Sequence, residues 1–205
     1  MKNTVFFIAA LLFVNLSNTH IDPTSIKIGN QTWMVKNLDV NHYRNGDLIR
    51  EVRNSSEWAK LKTGAWCYYD NIKSNGLKYG KLYNWYAVND PRGLAPKGWH
   101  IASDAEWTRL TDFLEGENIA GRKLKATRGW NEGFNGSNES GFTGYPGGGR
   151  YYDGPFYNEG DFGYWWCSTQ YFSDESFFRY MGQGGYVSTK HISKVNGFSV
   201  RCIKD

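Results

Sequence analysis

Aromatic side chains and glycine restrict the folds open to this chain more than any other feature does. Of its 205 residues, 17% are Phe, Trp or Tyr, and 24 are Gly. Aromatic side chains favour strands and packed irregular loops, whereas glycine permits tight turns and the close approach of two backbones. The composition therefore predicts a β-containing domain with long ordered loops, and it argues against a helical bundle.

The charge pattern excludes two other classes of protein. Charged residues make up 21% of the sequence beside 40% hydrophobic residues, so charge repulsion does not keep the chain disordered. The formal net charge is +4, and the lysines and arginines are scattered along the chain. Proteins that bind nucleic acid group their basic residues to neutralise phosphates. We therefore expect no nucleic acid partner.

The N-terminus has the pattern of an export signal. Lys2 precedes a nearly unbroken apolar stretch from Val5 to Leu16, which suits the core of a signal peptide and is too short to span a bilayer. We expect residues 1–19 to be removed and residues 20–205 to form a single exported domain. The alternative is an N-terminal membrane anchor. No second apolar run of spanning length follows, so we expect no integral membrane span after cleavage.

The cysteines matter because exported proteins usually fold in an oxidising compartment. Cys67, Cys167 and Cys202 are too far apart in sequence for a zinc knuckle or a C-x-x-C redox motif. Cys167 and Cys202 both fall in predicted strands, so a disulfide between them is one interpretation. The other is that all three thiols are reduced and buried, where they pack as small hydrophobic residues.

The sequence contains more signals for strands than for helices. Apolar residues around Gly29-Asn30 predict a β-hairpin over 25–38, and the segment 55–62 predicts a short helix. The main helix begins at Ser103, because Glu106 completes a capping box with it, and it ends at Gly116. A polar loop is expected over Asp70–Gly80. Further extended segments are predicted at Ala65–Tyr69, Tyr83–Val88, Tyr164–Thr169, Ser176–Met181, Tyr186–Thr189 and Phe198–Ile203.

The segment from Gly129 to Gly163 is rich in Gly, Asn and aromatic residues and has no clear periodicity. A loop of this length in a compact domain is usually functional or extensively cross-packed. Tyr and Arg offer large contact areas, and the face of a Tyr ring stacks on sugars or peptide side chains. The candidate ligand-binding residues are Arg150, Tyr151, Tyr152, Asp153, Tyr157 and Trp165. The alternative is that these aromatic residues pack internally. Of the neighbours Trp165 and Trp166, one should be buried and one partly exposed.

The sequence contains no recognisable catalytic constellation. Its four histidines are scattered and no Gly-x-Ser-x-Gly elbow is present, which argues against a Ser-His-Asp hydrolase. Glycoside hydrolysis requires two facing carboxylates, and spacing alone does not place any pair of loop acids across a sugar. We expect a protein that is not an enzyme.

Short motifs occur in a fixed order along nearly the whole chain. They are WMVKNL at 33–38, YGKLYNWYAV at 79–88, GWHI at 98–101, DAEW at 104–107, SGF at 140–142, GGGR at 147–150, WW at 165–166 and GFSVRC at 197–202. In these motifs the chain resembles the Fibrobacter succinogenes major paralogous domain, a family of exported bacterial domains that is similar to the C-type lectin-like fold. The resemblance implies an α+β domain with one main capped helix, a short second helix, a twisted antiparallel sheet and a long loop region. It also implies a secreted, periplasmic or outer-surface location.

Two departures from the family pattern concern cysteine. Ala95 stands where the family often has a Cys that is able to pair with the one in the final strand, and Cys167 stands where Ser is more frequent. Formylglycine-generating enzymes, which share this fold, bind copper with two neighbouring cysteines. Cys167 and Cys202 are far apart in sequence and do not match that arrangement. An oxidase and a hydrolase are therefore the least favoured hypotheses.

The resemblance to C-type lectins raises calcium as a cofactor, because many of those lectins hold sugar through Ca²⁺. Calcium takes about six to eight oxygen ligands, and the candidate ligands are Asp153, Glu159 and Asp161 in the long loop. The Glu-Pro-Asn and Gln-Pro-Asp motifs of such lectins are absent. We expect no cofactor, with calcium as the alternative. The leading hypothesis is a binding module for a glycan or a surface protein, and the alternative is a structural component of the cell surface without a small ligand.

Overall fold

The computed structural model describes residues 24–205, so the predicted leader lies outside the described residues. Helices and strands are mixed along the chain, which confirms an α+β protein. The strands are β1 (Ser25–Ile28), β2 (Gln31–Met34), β3 (Arg50–Glu51), β4 (Ala65–Cys67), β5 (Leu82–Tyr83), β6 (Trp99–Ile101), β7 (Gly147–Arg150), β8 (Phe156–Glu159), β9 (Gly163–Gln170), β10 (Glu175–Met181), β11 (Val187–Ser193) and β12 (Cys202–Lys204). The helices are α1 (Ser55–Trp58), α2 (Lys73–Tyr79), α3 (Trp85–Val88), α4 (Asp104–Phe113) and α5 (Glu117–Leu124), with a 3₁₀ turn at Tyr69–Asn71.

The strands form three sheets in the described part of the chain. The terminal sheet has the order β1-β2-β12-β6, the central sheet β11-β10-β9-β7-β8 and the small sheet β3-β4-β5. In the central sheet β9, β10 and β11 are antiparallel neighbours, as expected for the C-terminal strands. Between residues 24 and 205 there is no helix that is both long and apolar enough to cross a bilayer.

A short segment near the C-terminus, residues 197–199, joins the three sheets and is called the seam below. It makes isolated bridges from Gly197 to Arg150, from Phe198 to Tyr83 and from Ser199 to Trp165, and the chain then continues into β12. A Cβ at Gly197 would lie 2.9 Å from the Trp58 ring, so only glycine fits there. The predicted strand over 198–203 is therefore wrong in its first half, because those residues bridge different strands in turn.

The main helix α4 begins as the sequence predicts. The Ser103 hydroxyl accepts a hydrogen bond from the amide of Glu106, and the Glu106 carboxylate accepts one from the amide of Ser103 at 2.8 Å. Helix α5 was not predicted, since glycine in its middle weakens the helical signal. Gly121 is needed there because a Cβ would lie 2.3 Å from the carbonyl oxygen of Tyr186. Glycine thus lets α5 pack directly on the backbone that precedes β11.

Two segments differ from the sequence-based expectation. The polar segment 70–80 contains the helix α2. The aromatic segment 83–88 is the end of β5 followed by the helix α3, which starts because the Asn84 side chain accepts a hydrogen bond from the amide of Ala87. Aromatic residues favour strands, but an N-cap residue outweighs that preference over a segment of four residues. The predicted helix at 55–62 is shorter and ends at Trp58.

Strand β9 separates two aromatic clusters of the core. Trp165 packs with Trp107 and Phe142, which in turn pack with Trp33, and the ring centroids of these contacts lie 5.1–6.2 Å apart. Trp166 faces the other way and packs on Phe198. Both tryptophans are fully buried, so the expectation that one is partly exposed is wrong. The alternation predicted by strand geometry is present, but both sides of the sheet are covered at this point.

The three cysteines are free, buried thiols. Cys167 belongs to the Trp165 cluster and Cys202 to the Trp166 cluster, so the proposed disulfide between them is not formed in the structure. Desolvation by burial is the main cause that raises the pKa of Cys67 and of Cys202 to about 12, and it also raises the pKa of Cys167. All three are therefore neutral thiols that pack as small apolar groups.

Candidate functional site

The strongest candidate site is an aromatic groove of about 420 Å³ over one face of the central sheet. Its floor is built by strand pairing. Tyr180 of β10 lies opposite Tyr164 of β9, and Phe178 lies opposite Lys190 of β11. Because side chains alternate along a strand, these residues all point to the same face. The groove is lined by Tyr151, Tyr157, Asn158, Phe162, Tyr164, Phe178, Tyr180, Tyr186, Lys190 and Ile192.

One wall of the groove is a stacked pair of tyrosines. The Tyr151 and Tyr157 rings are 3.7 Å apart between centroids with an interplanar angle of 13°. Tyr151 is 41% exposed, so the free face of its ring is open to a ligand. The turn that carries it is held by Arg150, whose Nε donates to the carbonyl oxygen of Gly154 at 2.8 Å, and by a hydrogen bond from the Tyr151 amide to the Pro155 carbonyl at 2.8 Å.

The polar groups of the groove are few and mostly neutral. The side-chain amide of Asn158 donates to the Tyr164 hydroxyl at 2.7 Å, and the Lys190 ammonium lies 5.5 Å from the centroid of the Tyr180 ring. Burial raises the pKa of Tyr164 to about 12 and raises that of Tyr157 as well, so both hydroxyls stay protonated near neutral pH. The groove combines flat apolar ring faces with hydroxyl and amide groups that form hydrogen bonds.

A family model for the Fibrobacter succinogenes major domain matches residues 26–204. The chain belongs to this family. The whole aromatic groove lies inside the matched Fibrobacter major domain, as do all three sheets except the first residue of β1. No curated protein and no solved structure matches the chain.

Only some of the residues predicted to bind a ligand line the aromatic groove. Tyr151 and Tyr157 line it, whereas Tyr152 and Asp153 are exposed on the adjoining turn without lining it. Tyr152 is 56% exposed.

Two members of the predicted set, Arg150 and Trp165, are fully buried and do not line the groove. The Arg150 guanidinium is occupied by the carbonyl oxygens of Val52, Arg53 and Gly154. Trp165 lies one position from Tyr164 and therefore faces away from the groove, where its Nε1 donates to the Asn37 side chain at 2.8 Å. Arg150 thus supports the groove from below by holding the turn that carries Tyr151.

The predicted calcium ligands of this domain are not brought together. The Asp161 carboxylate accepts a hydrogen bond from the Asn131 side chain at 3.0 Å. Glu159 lies near Asp70, where burial first and then the negative charge of Glu159 raise the pKa of Asp70. Asp153 is on the exposed turn. Within residues 24–205 no three His, Cys, Asp or Glu side chains are grouped in a way that would hold a metal ion.

Most residues of the groove were missed from the sequence. Tyr164 and the alternating pair Phe178 and Tyr180 fall in strands that were predicted, so their common face was available as a signal. The pairing register that places β10 between β9 and β11 could not be predicted from the sequence. This register adds Lys190 to the same surface. Phe162 and Tyr186 lie just outside strands, where alternation gives no information about orientation.

Proposed function

We propose that this protein is an exported, non-catalytic binding module that holds a glycan in the aromatic groove. The observation that carries the proposal is the set of tyrosine rings presented to solvent around one concave surface, with the Tyr151–Tyr157 stack as its wall. A volume of about 420 Å³ lies within the range of small-ligand sites. Such a volume suits a short saccharide or one end of a longer chain.

The chemistry of the lining favours a glycan over a peptide. Ring faces stack on the C–H faces of sugars, and tyrosine hydroxyls and the Asn158 amide are suited to pair with sugar hydroxyls. The groove has one charged lining residue, Lys190, so it lacks the charge pairs that would select a charged peptide segment. If no glycan binds, the alternative partner is a surface protein.

The absence of catalysis is part of the proposal. No Asp or Glu is among the groove-lining residues of the described chain, and glycoside hydrolysis needs two such groups about the scissile bond. The buried thiols Cys67 and Cys202 have pKa values raised to about 12 by desolvation, so neither supplies a thiolate at neutral pH. These features support binding without turnover.

The same proposal includes a C-type lectin-like fold and export by a leader at residues 1–19. Support for the fold comes from the mixture of a capped main helix, a mostly antiparallel central sheet and the long irregular segment that leads into β7 and β8. Support for export comes from the apolar sequence Val5–Leu16 after Lys2. Mass measurement of the N-terminus of protein recovered from culture tests the leader directly.

The experiment for the groove is binding of the mature chain to a broad glycan array, in calcium and in EDTA. We expect a specific signal that EDTA leaves intact, because stacking needs no metal. Replacing Tyr151→Ala should weaken that signal about tenfold, since it removes the open ring face. The matched control is Tyr152→Ala, which removes an exposed tyrosine next in sequence but outside the groove.

Three results would count against the proposal in different ways. A signal that EDTA abolishes would restore a calcium site and direct mutagenesis to Asp153, Glu159 and Asp161. Equal losses for Tyr151→Ala and Tyr152→Ala would place the ligand outside the groove. No signal from a folded sample would overturn the glycan proposal and favour a surface protein partner or a structural role at the cell surface.

A further inference from the structure

A second pocket, of about 480 Å³, shares no residue with the aromatic groove. We call it the basic pocket. It is formed where the chain after β2, the helix α2 and the segments around 128 and 143–145 meet. The charged residues that line it are Lys36, Asp39, Lys78, Arg128 and Arg201.

The lining of the basic pocket carries an excess of positive charge. It has four cationic side chains and one carboxylate, that of Asp39. Asp39 is already paired, since its carboxylate accepts a hydrogen bond from the Lys81 ammonium at 2.5 Å. Lys36, Lys78 and Arg128 are exposed, and no ion pair joins any of them to another described residue. The Lys78 ammonium donates a hydrogen bond to the Tyr79 hydroxyl at 2.5 Å, and the three cations have no direct carboxylate partner among residues 24–205.

The fourth cation, Arg201, is only 1% exposed and has no carboxylate beside it. Its guanidinium donates to the carbonyl oxygens of Met34 and Phe142 and twice to the side-chain oxygen of Asn37. These are four bonds from a group with five N–H donors, and all the acceptors are neutral. Burial lowers the pKa of Arg201 to about 9, so the group is still charged at neutral pH. Buried charges are normally paired.

The backbone next to Arg128 lies close to the side chain of Lys78. Gly129, with φ of +89°, follows Arg128 directly, and a Cβ at this position would lie 3.5 Å from Cε of Lys78 and 3.3 Å from the Tyr145 ring. The loop that carries Arg128 is thus packed on the side chain of Lys78. Lys78 and Arg128 line the same pocket, and an anion bound there would offset the repulsion between their like charges.

We propose that the basic pocket binds a small anionic ligand through an oxyanion group, a carboxylate, sulfate or phosphate. Lys36, Lys78 and Arg128 contact the oxyanion from the solvent side, and the uncompensated charge of Arg201 attracts it from beneath. Guanidinium and ammonium groups together suit oxyanions of this kind. The pocket volume accommodates a ligand the size of a monosaccharide. The inference is independent of the glycan groove.

The test is calorimetric titration of the same purified protein with sodium sulfate, sodium phosphate and sodium glucuronate, with sodium chloride holding the ionic strength constant. Glucose is the neutral control for glucuronate. We expect saturable binding of at least one oxyanion and none of glucose. The anion that binds most tightly distinguishes a carboxylate ligand from a sulfated or phosphorylated one.

The double variant Lys78→Gln/Arg128→Gln should bind that anion at least tenfold more weakly, because it removes two charged donors. Lys73→Gln, an exposed lysine on the same helix α2, should bind like the wild type. Both variants change exposed residues, and their melting temperatures without anion verify that they fold. Absence of saturable binding by all three anions, or equal affinity in the double variant and the wild type, would overturn the proposal.

Discussion

The two faces of the central sheet have opposite surroundings, although the same strands build them. The helix-covered face, which includes Trp165 and Arg179, lies beneath α4 and α5. There Arg179 is almost fully buried and forms ion pairs with Asp104 and Glu117, each at 2.8 Å. The groove face, with Tyr164 and Tyr180, packs against the short helix α3 near Trp166 and opens into the aromatic groove.

The difference between the faces shows how one aromatic-rich strand serves both stability and recognition. On the helix-covered face the indole of Trp165 is enclosed by other rings, so none of its surface is available to a ligand. On the groove face Tyr164 stacks on Phe198 and on Phe162, while the Tyr151 ring stays partly exposed to solvent. Alternation along β9 and β10 therefore separates the two roles by single residues.

The largest expected effect is on the helix-covered face. Trp165→Ala should lower the free energy of unfolding by about 3–5 kcal/mol, because it leaves a cavity among rings and removes the donor to Asn37. Tyr180→Ala on the groove face should cost about 1–2 kcal/mol, since Tyr180 is half-buried. Urea unfolding of the two variants measures the difference. Equal costs would mean that the groove face is as much a part of the core as the other.

Alkaline pH should lower the free energy of unfolding in two stages, first through the buried thiols and then through Tyr164. On the helix-covered face, burial raises the pKa of the Cys167 thiol, and elsewhere it raises those of Cys67 and Cys202 from 9.0 to about 12. Above pH 9 the unfolded state therefore holds fewer protons than the native state, and stability falls. On the groove face, Tyr164 adds to the fall above pH 10, because burial raises its pKa to about 12. Each group contributes at most about 1.4 kcal/mol per pH unit.

Lys125 has the opposite effect on the free energy of unfolding over part of this pH range. Burial lowers its pKa from 10.5 to about 8, so between these values the unfolded state holds the extra proton and stability rises with pH. Above pH 9 Arg201 acts in the same direction as Lys125, because burial lowers its pKa from 12.5 to about 9. The three thiols outweigh these two cations above pH 9, and the fall should steepen above pH 10.5. Urea unfolding from pH 7.5 to 11.5 tests the profile, with thiol labelling of the native protein alongside. Rapid labelling of the native thiols at pH 8 would contradict their burial.

The smallest effect on stability is expected at the open wall of the groove. Tyr151→Ala should cost about 0.5–1 kcal/mol, which is the contribution of one stacked aromatic pair at a partly exposed site. The same variant should have the larger effect on glycan binding, so stability and binding separate at this residue. Thermal unfolding, run on the samples used for the array, measures the first quantity. A loss of several kcal/mol would show that the stack supports the fold.

Local signals in the sequence predicted elements that depend on neighbouring residues. The start of α4 followed from Ser103 and Glu106 alone, and the hairpin of β1 and β2 from the turn at Gly29-Asn30. The family was recognisable from motifs spread over the chain. Helix α3 was missed because its aromatic residues favour strands, while the Asn84 cap that decides the matter is a single side chain.

Long-range contacts were beyond the reach of sequence patterns. Arg150 looked like a ligand contact because it precedes two tyrosines, but its acceptors at Val52 and Arg53 lie almost a hundred residues earlier in the chain. The groove itself depends on the pairing register of β9, β10 and β11. Sequence alternation predicts which residues of a strand share a face, but not which strands lie side by side.

The seam at residues 197–199 has a consequence for how this protein is made. Its bridges reach back to Tyr83, Arg150 and Trp165, so these bridges form only after nearly all of the described chain has been synthesised. Contacts of such long sequence separation slow folding, since a large loop must close before they form. The chain therefore completes its fold as a late, whole-domain event, and during that delay its many aromatic residues are exposed to chaperones and to aggregation.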